Sequence, residues 1–91
     1  MKNRYFVEMT DTFSGEANYC WVNRFIVSAS SHRGAMRRVT ARTGDRVRCV
    51  MSGDPERWDS RTDCVCYFVE WIDDDEQFKE LQDNYSRIEV L

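Results

Sequence analysis

Arg33, Arg37, Arg38 and Arg42 fall close together in the chain, and Arg46 and Arg48 follow them. Guanidinium forks match the geometry of phosphate and carboxylate groups, so such a density of arginine suits contact with an anionic surface. Further on, Glu70, Asp73, Asp74, Asp75, Glu76, Glu80 and Asp83 crowd a stretch in which Lys79 is the one opposing charge. Residues 1–50 carry nine Lys/Arg against four Asp/Glu, residues 51–91 carry four against twelve, and the formal net charge is −3. Charge polarised in this way projects a field that steers partners, which points to binding ahead of catalysis.

Other reactive side chains are sparse. His32 is the one histidine. A Cys–His nucleophile needs a thiol beside the ring and a third group to orient it, and no spacing among Cys20, Cys49, Cys64 and Cys66 arranges this. Four thiolates suffice for tetrahedral zinc, but Cys64-Val65-Cys66 lacks the usual knuckle spacing and no second pair follows. The thiols therefore read as reduced, small hydrophobes of the core, with neither metal nor cofactor expected. His32 reads as a half-exposed packing residue. The clustered carboxylates suit a solvated surface better than a tuned acid–base pair, so no enzyme is expected. Trp58 would serve as an interface anchor if exposed and as a lid over the core if not.

Ninety-one residues fill one core, which makes 1–91 a single domain. Hydrophobic residues at 42%, with 13% aromatic, are enough to fold a chain that is 32% charged. No apolar run is long enough to span a bilayer, and Met1-Lys2-Asn3-Arg4 leads into a strand-like segment instead of a signal-peptide core. The expectation is an intracellular protein with reduced thiols and no membrane partner.

The elements that must position these charges follow from pattern. Tyr5 to Thr10 is rich in strand formers, Ser14-Gly15-Glu16 supplies a turn, and Asn18 to Val27 forms a longer strand whose mixed parity signals a bulge or cover on both faces. Ser28 to Ser31 opens a helix that runs to Arg42 or Thr43, where Gly44 supplies a left-handed end. Ala35, Met36, Val39 and Thr43 share one face of that helix. Gly34 suggests a close packing approach in its first turn. Val47, Cys49 and Met51 alternate with Arg46, Arg48 and Val50 as a third strand.

Gly53 to Trp58 reads as a mobile turn or a single helical turn, with Asp54 as cap and Pro55 at the first position. Cys64 to Ile72, apolar on both parities until Glu70, reads as a central strand. Asp73-Asp74-Asp75 starts a short helix through about Gln82, anchored by Phe78 and Leu81, and Ser86 to Leu91 can pair as an edge strand. The expected fold is α+β, a small antiparallel sheet of four to five strands in the order β-β-α-β-β, then the short helix and possible edge strand, with one main helix on one face.

Taken together, Gly15-Glu16-Ala17-Asn18-Tyr19-x-Trp21-Val22, Arg33-Gly34-Ala35-x-Arg37 and Cys64-Val65-Cys66-Tyr67-Phe68-Val69-Glu70 resemble a family of small bacteriophage and prophage proteins of unassigned function. In size and element order the chain is also similar to small phage anti-CRISPR proteins, whose role is to bind and block a host CRISPR–Cas complex. The resemblance implies a phage accessory protein in the bacterial host cytoplasm, acting by stoichiometric binding to a host protein or ribonucleoprotein complex. Asp73, Asp74, Asp75, Glu76, Glu80 and Asp83 are the expected contacts, because a row of carboxylates imitates a nucleic-acid backbone. Arg33, Arg37, Arg38 and Arg42 with Trp58 form the alternative face. The alternative function is a small RNA-binding module using the arginine-rich helix, with Tyr19, Trp21 and Tyr67 stacking bases if they face solvent. The absence of a phosphate-clamp loop and the negative net charge weigh against it.

Overall fold

Alternate residues of the first hairpin divide the molecule into two sides. In the computed structural model, which describes residues 3–91, β1 (Asn3–Phe13) pairs antiparallel with β2 (Glu16–Ala29), setting Tyr5 opposite Val27 and Val7 opposite Phe25. Side chains alternate between faces along a strand, so these four enter one cluster while Phe6 and Ile26 enter another. The free edge of β1 takes β5 (Val65–Ile72), which adds Tyr67 and Val69 to the first side and Ile72 to the second. Beyond β5 lie β4 (Glu56–Ser60) and then β3 (Val47–Met51), both antiparallel. At the opposite edge the two residues of β6 (Glu89–Val90) pair parallel with β2, completing the order β3-β4-β5-β1-β2-β6.

Helix α1 (His32–Thr43) lays Ala35, Met36 and Val39 on the first face, where eleven buried residues form the main core. Helix α2 (Asp75–Asn84) sets Phe78 and Leu81, with Tyr85 and Ile88 behind them, against just three buried residues on the second face. Each large apolar side chain buried contributes about 1.5–3 kcal/mol, so the α1 side supplies most of the stability. Arginines help hold α2: Arg4 lies 4.1 Å from the Phe78 ring centroid and pairs with Asp75, and Arg24 lies 3.9 Å from that of Tyr85.

The α+β class, the strand–strand–helix opening and the central place of β5 agree with the sequence. Three details differ. The sheet has six strands, it is mixed because β6 runs parallel to β2, and its two helices pack on opposite faces. The extra strand is β4, in the segment expected as a turn: Trp58 faces the main core while Arg57 and Asp59 share the other side. Along β2 both expected causes of the mixed parity are present, cover on the two faces, with Phe25 and Val27 in one cluster and Ile26 in the other, and an irregular register. The β1–β2 register shifts between Thr10 and Thr12, Tyr19 takes a φ of 56°, and Asp11 accepts a hydrogen bond from the Cys20 amide at 2.8 Å.

Candidate functional site

Both ends of α1 are fixed by local chemistry. Ser31 caps it, accepting a hydrogen bond from the Gly34 amide, and Gly44 ends it at φ 76°, donating its own amide to the Thr40 carbonyl at 2.8 Å. A Cβ on Gly34 would stand 3.3 Å from Ser31 Oγ and 3.5 Å from Ala29 Cβ, so the first turn does pack closely. With roughly 100° per residue, the buried stripe of Ala35, Met36 and Val39 leaves two flanks. Arg33 and Arg37 occupy the flank toward β3 and β4. Arg38 and Arg42 take the other, where Arg42 is bound to Glu89 of β6 through Nε at 2.6 Å. The four arginines that lie together in sequence are thus split in two pairs.

Arg33 and Arg37 line a recess of about 450 Å³ together with Arg46, just ahead of β3, and Arg61, just after β4. Strand pairing brings the latter two together, since the Arg61 amide donates to the Arg46 carbonyl at 2.7 Å. Met36, Val47 and Trp58 supply apolar lining. Trp58 itself is 7% exposed and donates Nε1–H to Glu56, with the Arg33 guanidinium carbon 5.7 Å from its ring centroid. The condition for Trp58 as an exposed anchor, exposure, is not met; it packs beneath the arginines.

Asp45 is the one acid lining this recess. Its carboxylate accepts from the Ser60 hydroxyl, the Arg46 amide and the buried Tyr67 hydroxyl, each at 2.8 Å. Burial, and then the neighbouring carboxylate, push the Tyr67 phenol well above its ordinary value, so it stays a donor. No ion pair among the described residues involves Arg33, Arg37, Arg46 or Arg61. Four guanidinium groups therefore face one carboxylate that uncharged donors already hold.

The acidic residues lie across the sheet. Asp74 caps α2 by accepting from the Gln77 amide at 2.7 Å, Asp73 donates its amide to the Gln77 side chain, and Asp75 pairs with Arg4. Glu76, Glu80 and Asp83, at spacings of four and three, form one exposed stripe. Helical geometry sets that stripe opposite Phe78 and Leu81, which face the sheet. None of the three enters an ion pair among the described residues. The six expected contacts thus separate into three that build the helix start and three that are free to meet a partner.

Of the aromatics considered for stacking, Tyr67 is fully buried while Tyr19 and Trp21 are 53% and 42% exposed. Tyr19 stacks on Phe68 at 6.5 Å, beside Arg57, which reaches from β4 to bind the Gly15 carbonyl at the hairpin tip. His32 is half-buried against Tyr5 and its Nε2 meets Asp54 at 2.8 Å, tying α1 to the β3–β4 loop. The cysteines depart from their expected burial: Cys66 is buried and Cys49 half-buried, but Cys20 and Cys64 are exposed.

Arg61 was not among the expected contacts, because it follows a segment that reads as a turn. The alternation of Glu56, Trp58 and Ser60 with Arg57 and Asp59 is the signal that would have placed it at a strand end. Fold and site together define a small α+β domain with unneutralised arginines on one side of its sheet and unneutralised carboxylates on the other. No protein-family model matches the chain, and no curated protein or solved structure does so either.

Proposed function

We propose that this protein acts by stoichiometric binding, with α2 as the docking element, and inhibits a host complex that handles nucleic acid. The observation that carries this reading is the stripe Glu76, Glu80 and Asp83, exposed, without an ion pair among the described residues and set opposite the packing face of its helix. A rigid row of carboxylates competes with a phosphate backbone for a basic groove and raises the rate of encounter with it. The resemblance in size and element order to small anti-CRISPR proteins, read from the sequence, is the reason to take a CRISPR–Cas complex as the first candidate target and an anti-CRISPR activity as the first function to test. The reading requires no reaction at the protein's own surface.

Capture of a partner from host lysate, followed by charge reversal, tests it. One exposed ion pair contributes only about 0–1 kcal/mol, so a single substitution will do little. Glu76→Lys, Glu80→Lys and Asp83→Lys together should weaken association with the captured complex at least about tenfold, mainly through slower binding, while the melting transition survives. Unchanged affinity and association rate would remove α2 as the docking element. Failure to protect phage in CRISPR-immune cells across the common system types would sink the anti-CRISPR assignment itself.

A further inference from the structure

We propose that the recess between α1 and the β3–β4 pair binds the sugar–phosphate backbone of a nucleic-acid strand. Its four arginines converge from a helix, the start of one strand and the end of another, with no carboxylate among the described residues paired to any of them. Elsewhere among the described residues Arg4, Arg24, Arg42 and Arg57 each have an acidic partner, and Arg38, Arg48 and Arg87, which have none, do not line this recess. Like charges held together without counter-ions repel one another, and a bound polyanion relieves that repulsion while releasing its own condensed cations. A nucleic-acid strand offers an anion at every residue, whereas a protein segment matches that density only where acidic residues run consecutively.

The lining also says what is not read. Trp58 is 7% exposed, so no base stacks on it, and binding rests on phosphates with little dependence on sequence. The net charge of −3 does not prevent this, because the acidic stripe of α2 stands on the opposite face of the sheet. Both sets of charges are solvent-facing, and at physiological salt the field of exposed charges is largely screened beyond about 8 Å. The site is independent of the α2 reading and uses none of its residues.

Fluorescence anisotropy with labelled single strands of about 12 nucleotides, as RNA and as DNA of mixed sequence, tests the proposal. Between about 50 and 200 mM salt the logarithm of affinity should fall linearly with the logarithm of salt, with a slope near −3 if all four arginines engage. R37E with R61E should weaken binding at least about tenfold and flatten that slope. R38E with R48E makes the same change in net charge away from the recess, and should weaken binding less than about threefold. Should a reversal impair folding, the neutral Gln pairs at the same positions give the same comparison.

Equal losses from the two pairs, or no binding by the unaltered protein at the lowest salt, would overturn the site. Competition by a polyglutamate peptide as effective as by an unlabelled strand would reassign the recess to acidic protein segments. Because α2 plays no part in the measurement, neither result bears on the docking proposal.

Discussion

Glu70 shows how a single position can oppose the fold that contains it. It lies on β5 opposite Phe6, half-buried, and burial followed by the carboxylates of Asp54 and Glu8 raises its pKa above the ordinary 4.5. The folded state then holds its proton to higher pH than the unfolded state does, so stability falls as pH rises above 4.5. Glu70→Gln should therefore raise the melting temperature at neutral pH, and that gain should shrink as the buffer is taken below the ordinary carboxylate value. A variant with equal advantage at both ends of a pH series of melts would show that packing, not charge, limits the position. The contrast with Asp45 is instructive. That carboxylate has three donors, from Ser60, Arg46 and Tyr67, and forms a hub under the arginine recess.

At the scale of elements, α1 is specified by its own residues. Gly44 sits at φ 76° with open space where a Cβ would go, so Gly44→Ala meets no clash and costs only backbone strain, about 1 kcal/mol in urea unfolding. No measurable loss would mean that the helix end does not depend on this conformation. Caps of this kind are legible in sequence because each acts within a few residues, which is why the helix boundaries and the Gly34 approach were readable. The fourth strand was not. Asp54-Pro55-Glu56 carries the signature of a helix start, and only pairing with β3 and β5 makes Glu56 to Ser60 a strand. The parallel pairing of β6 likewise depends on where α2 returns the chain. The candidate site inherits this limit: the clustering of arginines was visible, but the separation of Arg33 and Arg37 from Arg38 and Arg42 follows from helix phase and the position of β6. Arg61 joins them only through a strand that local pattern conceals.

For the whole molecule, the sheet acts as a partition between two charged surfaces, within principal extents of 36 × 27 × 22 Å. Cluster membership establishes the sides: α1 packs with Tyr5, Val7, Phe25 and Val27, α2 with Phe6, Ile26 and Ile72. Sites that share no partner and lie more than about 7–10 Å apart add independently, within about 0.5 kcal/mol. The recess pair R37E with R61E and the helix triple E76K, E80K and D83K can therefore be combined in a double-mutant cycle. Measured by urea unfolding, the combined variant should change stability by the sum of the two separate changes. Measured by oligonucleotide affinity, the recess reversal should cost the same factor in the natural and the α2-reversed background. A coupling above about 1 kcal/mol in unfolding would mean that the two surfaces communicate through the sheet. The same coupling confined to the affinity measurement would mean that one strand reaches both faces, in which case the carboxylates of α2 direct the path of the nucleic acid by repelling it and the two surfaces form one site.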